Sequence, residues 1–401
     1  MQTDYLILIT LGALLILSPF VKSLMERIGV PALVGYILLG FLISMMNQQW
    51  SFVTTAFNNT FAALAQLGIV ALLFRVGLKS HTQALLAKLP DASLIWISDV
   101  LTNLLLGFVV SRYVLALPLE TSLVIATAFS ATSVAVSVSV WDEMNKLDTP
   151  NGQLLVDVAE LDDLSGVLLL AVLLAIISVL QGNEVALLPS ISVTVIVVLL
   201  KLALFITGCY LFSHYLEPNF TRFNRQWENS TIGLTITVLG AGLTIAAVAG
   251  FLGFSLAIGA LFAGLAFSRD PQAVHTDAKF SYFYEFLTPF FFINIGMQVD
   301  PGAVVPSLGL AAILFIPAAL GKFLGVAAPA LRILKRPDAV LLGLSMIPRA
   351  EIAMVVVYQC REFSDDIVSE NVFAAMVLVV VMTSIIAPLI LHSLLVKQTM
   401  D

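Results

Sequence analysis

The chain is predicted to be an all-α polytopic membrane protein: about thirteen transmembrane helices in two inverted five-helix repeats, with two crossing broken helices. Three observations lead there. Of its 401 residues 59% are hydrophobic and 11% charged, with a mean hydropathy of +1.01, whereas a soluble protein carries about 25% charged residues. The basic residues fall almost wholly on one side of the apolar runs. Some runs also resemble one another in pairs, with opposite directions across the membrane.

A span needs roughly 17–25 mainly apolar residues. Candidate runs cover 5–23, 30–48, 58–78, 92–116, 121–141, 153–180, 186–214, 230–249, 252–268, 282–298, 304–330, 338–360 and 370–396. The first has no Lys or Arg before it and no small-residue cleavage site after it, so it is expected to be a retained span rather than a signal peptide. Only Gly250 and Phe251 separate the eighth run from the ninth. With the N-terminus outside, thirteen basic residues lie on inside loops or the tail, from Lys22 to Lys397, and only Arg112 and Arg361 lie outside. That asymmetry predicts N-out, C-in. Arg75, Lys201, Lys322 and Arg349 fall within spans. Cys209 and Cys360 sit in apolar runs and read as packing residues, not a disulfide framework.

Span 2 reads Gly35-Tyr-Ile-Leu-Leu-Gly40 and span 9 Gly259-Ala-Leu-Phe-Ala-Gly264; span 3 ends at Gly77-Leu78 and span 10 at Gly296-Met297. The matches lie seven spans apart, and an odd offset inverts their direction. Spans 2–6 and 9–13 therefore read as inverted repeats, an arrangement that places a transport site near the midplane on interrupted helices. Span 5 supplies one interruption, Phe129-Ser-Ala131-Thr132-Ser133 continuing to Ser139. Its counterpart, span 12, supplies Ser345-Met-Ile-Pro348-Arg349-Ala350-Glu351, where Pro348 removes a backbone donor and disfavours helix before it.

The polar centre is Asp157-Val-Ala-Glu160-Leu-Asp162-Asp163, at the head of a long apolar run. An ionisable side chain at the bilayer centre costs roughly 2.5 kcal/mol or more on insertion scales. Carboxylates there are expected to bind a cation, bind a proton or neutralise a buried base. Asp162 and Asp163 diverge by about 100° on a helix, so one is expected to face an ion crevice and the other a base. Asp163, Glu160 and Asp157 share a face; Glu160 and Asp157 read as a solvated helix start or accessory groups. Lys322, in Leu320-Gly321-Lys322-Phe-Leu-Gly325, is assigned to the carboxylate pair, because a buried lysine can exchange a proton. Arg349 is assigned to a structural pair with Glu351. Arg75, Lys201, Asp99 and Glu285 receive no role. His81, His214, His275 and His392 read as solvated loop or end residues.

Together, Leu161-Asp162-Asp163-Leu164-Ser165-Gly166, the Ala131-Thr132-Ser133 break, the Lys322 segment and Pro348-Arg349-Ala350-Glu351 resemble the bacterial cation:proton antiporter-2 family, in its thirteen-span, NapA-like form. The resemblance covers essentially the whole chain. It implies an NhaA-like antiporter fold, a multi-pass protein of the inner membrane, and a homodimer in the lipid bilayer. Residues 1–116 would hold spans 1–4 (1–3 for dimerisation, 4 in the core), 117–182 core spans 5 and 6, 183–228 the linker span 7, 229–300 dimerisation spans 8–10, and 301–401 core spans 11–13. The core would move against a fixed scaffold. Asp163 would carry the ion and protons, Asp162 would partner Lys322, and Thr132 and Ser133 would stand beside the ion, with Na+ at Asp163, Asp162 and Thr132. Departures from the family pattern include Lys79 near the end of span 3, Ala350 in place of a glycine, and the additional acid Glu160.

The resulting expectation is electrogenic sodium (or lithium)/proton antiport, without cofactor, catalytic residues or nucleic-acid partner. Potassium/proton exchange on the same residues is the alternative. Potassium-efflux relatives resemble this pattern with Gln-Asp at the pair and an inside nucleotide-binding domain; here the pair is Asp-Asp and no such domain is expected. A non-transporting sensor or a solute symporter is a more distant reading. An intramembrane aspartyl hydrolase needs carboxylates that converge from separate helices, which neighbours in sequence do not supply.

Overall fold

The computed structural model describes residues 2–50, 53–79, 82–133, 137–138, 140–141, 144, 146–147, 149–181, 187–227, 231–268, 277–364 and 366–400. His81 and His275, and Ser139 of the span-5 break, lie outside them. All regular structure among the described residues is helical. The helices are α1 (Gln2–Arg27), α2 (Ala32–Trp50), α3 (Thr55–Lys79), α4 (Thr82–Val109), α5 (Leu119–Ser130), α6 (Pro150–Gln181), α7 (Leu187–Leu211), α8 (Glu217–Trp227), α9 (Thr231–Phe251), α10 (Leu256–Phe267), α11 (Asp277–Met297), α12 (Pro301–Ala330), α13 (Arg336–Ser345), α14 (Glu351–Phe363) and α15 (Glu370–Met400). By length and composition, eight helical stretches among the described residues are fit to cross a membrane: Leu8–Arg27, Ala32–Trp50, Thr55–Leu78, Ala92–Val114, Pro150–Ser178, Gly233–Phe251, Pro301–Ala330 and Glu370–Lys397. Leu119–Ser130 and Leu256–Phe267 are shorter apolar helices.

Local chemistry sets the ends of these helices. Asp300 caps α12, its carboxylate accepting from the Gly302 N–H at 3.1 Å, and Pro301 takes the first helical position, where a missing donor costs nothing. Ser255 caps α10 by accepting from the Ile258 N–H at 3.3 Å. The narrow boundary at Gly250-Phe251 is a real break: α9 stops at Phe251, and α10 starts after a turn through Gly253 at φ +90°. Spans 5 and 12 are each discontinuous. α5 stops at Ser130 before extended Ala131, and α13 and α14 are separated by non-helical residues ending at Ala350 (φ −152°, ψ −102°).

The chain divides into two compact units. One comprises Met1–Thr54, Lys88–Leu170 and Phe292–Asp401; the other comprises Thr55–Ala87 and Ala171–Phe291. In the first, α12 packs on α15 and α13, α14 packs on α5, and α1 packs on α2. α2 also meets the end of α11 at backbone distance: a Cβ on Gly40 would collide with the Ile293 carbonyl, and one on Gly296 with the Ile37 carbonyl. In the second unit α3 packs on α10 and α10 on α9. There Gly77 faces the Leu261 carbonyl and Gly264 the Phe74 carbonyl in the same manner. Small residues of this kind let membrane helices approach closely. Cys209 and Cys360 are buried and unbonded.

Candidate ion-binding site

The site lies wholly within the first unit, on α4, α5, α6, α12, α14 and the two helix breaks. Its frame is the end of α5. The last carbonyls of a helix have no intrahelical partner and carry the negative end of its dipole. Two buried cations take them here. Lys322 Nζ donates to the Ser130 carbonyl at 2.6 Å. Arg349 Nη1 donates to the Phe129 carbonyl and, at 3.0 Å, to that of Ala131. Arg349 Nη2 adds the Ala318 carbonyl at 2.6 Å and Asn103 Oδ1 at 3.0 Å. Its guanidinium also lies 4.9 Å from the Phe129 ring centroid. Five fixed donors suit such a set of carbonyls better than the point charge of lysine does.

This corrects the expected Arg349–Glu351 pair. The two residues flank Ala350 across a helix start, so their side chains diverge, and the bare carbonyls of α5 attract the guanidinium. Glu351 instead accepts from Ser133 Oγ at 2.6 Å. As the first residue of α14, it places a carboxylate at that helix's positive end. The breaks meet directly: the Ser133 N–H donates to the Pro348 carbonyl at 2.9 Å. From α15, Ser384 Oγ donates to the Arg349 carbonyl at 2.7 Å, and Thr383 Oγ1 accepts from the Arg349 N–H at 3.3 Å.

Lys322 reaches two carboxylates as well as the Ser130 carbonyl. It stands 2.6 Å from Asp162 Oδ2 and 2.6 Å from Asp99 Oδ2, and all three side chains are fully buried. Asp162 Oδ2 also accepts from Thr132 Oγ1. Its other oxygen, Oδ1, is buried without a hydrogen-bond partner among the described residues. Ser165 fixes the backbone beneath, accepting from Trp96 Nε1 at 3.1 Å and donating to the Asp162 carbonyl at 2.9 Å. Asp163 is half-buried, and its carboxylate has neither a hydrogen-bond donor nor an ion-pair partner among the described residues. Glu160 and Asp157, further toward the start of α6, are half-buried.

Asp99 and Asn103, both central to this network, were not named as site residues from sequence. Asp99 pairs with Lys322, and Asn103 bridges Asp99 to Arg349: Asn103 Nδ2 donates to Asp99 Oδ1 at 2.7 Å and Oδ1 accepts from Arg349. Their four-residue spacing puts both on one face of α4, and an intramembrane acid is a functional candidate by default. That much was visible, but not the partner. The remaining charged candidates lie apart from the network. Arg75 stacks 4.3 Å from the Tyr284 centroid. Lys201 reaches the Leu252 carbonyl at 3.5 Å. Glu285, His214 and His392 are exposed.

Comparison with known proteins places the chain in a family. The chain is 24% identical to a Na+/H+ antiporter of Enterococcus hirae over 94% of its own length and 95% of that protein's. It is 24% identical to the high-affinity Na+/H+ antiporter NhaS3 of Synechocystis sp., covering 84% and 72%. It is also 24% identical to the Na+/H+-K+ antiporter GerN of Bacillus cereus, covering 94% and 93%. The fold superposes on the sodium/proton antiporter MjNhaP1 of Methanocaldococcus jannaschii with a TM-score of 0.74, at 16% identity over 98% of this chain and 99% of that one. Residues 12–397 match the family described as "Sodium/hydrogen exchanger, transmembrane", and the chain belongs to that family of membrane antiporters, which are transporters and not enzymes.

Proposed function

We propose that the chain is a secondary active sodium (or lithium)/proton antiporter in which cation and protons compete for Asp163. One observation carries this reading. Of two adjacent carboxylates, Asp162 is held by Lys322 and Thr132 while Asp163 has no partner among the described residues. A half-buried, unpaired carboxylate is poised to take up a proton or a cation. The orphaned Oδ1 of Asp162, the preceding residue, offers a second oxygen, and Thr132 and Ser133 offer hydroxyls. An all-oxygen set suits a hard cation such as sodium. The cation is cargo, not a resident cofactor.

Coupling needs only that the carrier never crosses the membrane charged and unneutralised, which desolvation disfavours. The elevator reading takes spans 1–3 and 8–10 as a dimer scaffold and spans 4–6 and 11–13 as the moving core. The α2–α11 and α3–α10 contacts support it, because each locks two scaffold spans together at backbone distance. They also support the inverted repeats: matching span 2 to span 9 and span 3 to span 10 turns one contact into the other. An N-out, C-in protein of the inner membrane, with thirteen spans, completes the reading.

Proton movement on adding sodium to sealed vesicles tests it. Wild type is expected to move protons against sodium, and Asp163→Asn to abolish the movement, since an amide neither takes up the proton nor supplies the charge. Exchange at the wild-type rate in the Asn variant would sink the assignment. Potassium/proton exchange is the second reading, favoured by the similarity to a relative named for both ions. Proton movement with potassium but not sodium would select it.

A further inference from the structure

We propose that Asp99 is the positioning residue that lets Asp162 change partners, holding Lys322 so that the Asp162 carboxylate can pass from the lysine to the transported cation. Asp99 would then set cation affinity, a role that rests on the antiporter reading above and deepens it.

An ammonium has three N–H donors. Those of Lys322 go to Asp99 Oδ2, Asp162 Oδ2 and the Ser130 carbonyl, each at 2.6 Å. The two carboxylates differ in their freedom. Asp99 is pinned on both sides: its Oδ1 accepts from Asn103 Nδ2, which also donates to the Asp99 carbonyl at 2.8 Å, and Arg349 holds Asn103. Asp162 has an orphaned Oδ1 and adjoins the unpaired Asp163. It is the carboxylate with reason to turn.

When Asp162 turns to a cation, Lys322 loses one anionic partner. Without Asp99 it would lose the sole carboxylate partner left to it among the described residues, in a fully buried place where an unpaired charge is strongly disfavoured. With Asp99, the ammonium keeps a carboxylate and a carbonyl as Asp162 leaves it, before any proton is given up. A cation therefore competes against a shared lysine rather than an undivided one. α12 is shaped to keep that sharing in place. Gly321 and Gly325 flank Lys322, and a Cβ on either would stand 2.7 Å from Asn103 Oδ1 or 2.9 Å from the Asp99 Cα.

Asp99→Asn keeps the shape and removes the charge. It is expected to raise the half-saturating sodium concentration by roughly ten- to a hundredfold, the range to which one hydrogen bond to a charged group converts, with a smaller change in maximal rate. The measurement is sodium-jump proton movement in proteoliposomes of the full chain, paired with sodium-dependent thermal stabilisation of the same protein in detergent. Asp99→Glu, which restores the carboxylate, is expected to recover much of the affinity; a merely packing role would not be rescued by a longer side chain. In a Lys322→Gln background, Asp99→Asn is expected to leave sodium stabilisation unchanged, since Asp99 acts through the lysine. Wild-type half-saturation in Asp99→Asn by both measurements would overturn the role, as would an undiminished effect without Lys322. Should Asp99→Asn fail to fold, Asp99→Glu decides: near-native sodium affinity supports the charge, and loss of affinity in a well-folded protein overturns it. Wild type that exchanges while Asp163→Asn does not, alongside an unaltered Asp99→Asn, discards Asp99 alone. Wild type that neither exchanges protons nor is stabilised by sodium or potassium discards the antiporter reading with it.

Discussion

Lys322 holds two fully buried carboxylates at 2.6 Å. Lys322→Ala would strand both, and removing one partner of a dry pair costs about 3–5 kcal/mol. A marked fall in melting temperature is therefore expected alongside lost transport; transport lost at an unchanged melting temperature would mean the lysine serves only in exchange. Arg349→Lys is expected to destabilise by about 2–4 kcal/mol, because an ammonium cannot span the carbonyls of Phe129, Ala131 and Ala318 together with Asn103. Circular-dichroism melts of the purified protein check that figure, and a fall under about 0.5 kcal/mol, typical of surface changes, would contradict it. The two cations also show how far sequence reaches. A lysine between glycines in an apolar span, and an acid pair in another, point at each other by chemistry alone. Three of the four acceptors that the Arg349 guanidinium meets among the described residues are backbone carbonyls, two of them at the end of α5, and no residue type marks those. Asp99 was visible as an intramembrane acid, but its partner lies 223 positions away on another helix.

Among the helices, the two interruptions were legible because proline and a run of polar and β-branched residues declare them. What they do to one another was not. The Ser133–Pro348 backbone bond and the Ser133–Glu351 contact join segments more than 200 residues apart. The repeated glycines marked matching spans without saying which helix approaches which. α12 offers a test of such packing. A Cβ at Gly325 would lie 2.9 Å from the Asp99 Cα and 3.2 Å from Thr102 Cβ, so Gly325→Ala must push α12 away from α4. Overpacking of this kind costs typically about 1–3 kcal/mol. Because Lys322 rides on the same helix, the half-saturating sodium concentration is expected to change together with stability. A melt lowered by that amount with wild-type sodium dependence would show that the α4–α12 spacing does not govern the site.

For the antiporter as a whole, the charge moved per cycle turns on Lys322. On the proposed reading, Asp163 exchanges one proton for one cation. If Lys322 also gives up its proton as Asp162 engages sodium, two protons move against one sodium and net charge crosses the membrane. Arg349, whose charge is permanent, could not play that part, and its contacts are to carbonyls and Asn103 rather than to the acid pair. The cation that touches Asp162 is the lysine, which favours electrogenic exchange. Addition of sodium to proteoliposomes on a solid-supported membrane is expected to give a current that depends on pH and disappears in Asp163→Asn. Sodium/proton exchange with no accompanying current would mean that Lys322 stays a protonated ammonium, paired with Asp99, throughout, making the cycle one for one. That outcome would revise the stoichiometry and leave the competition at Asp163 intact, because only the lysine's proton, and not the carrier's, would have been taken out of the count.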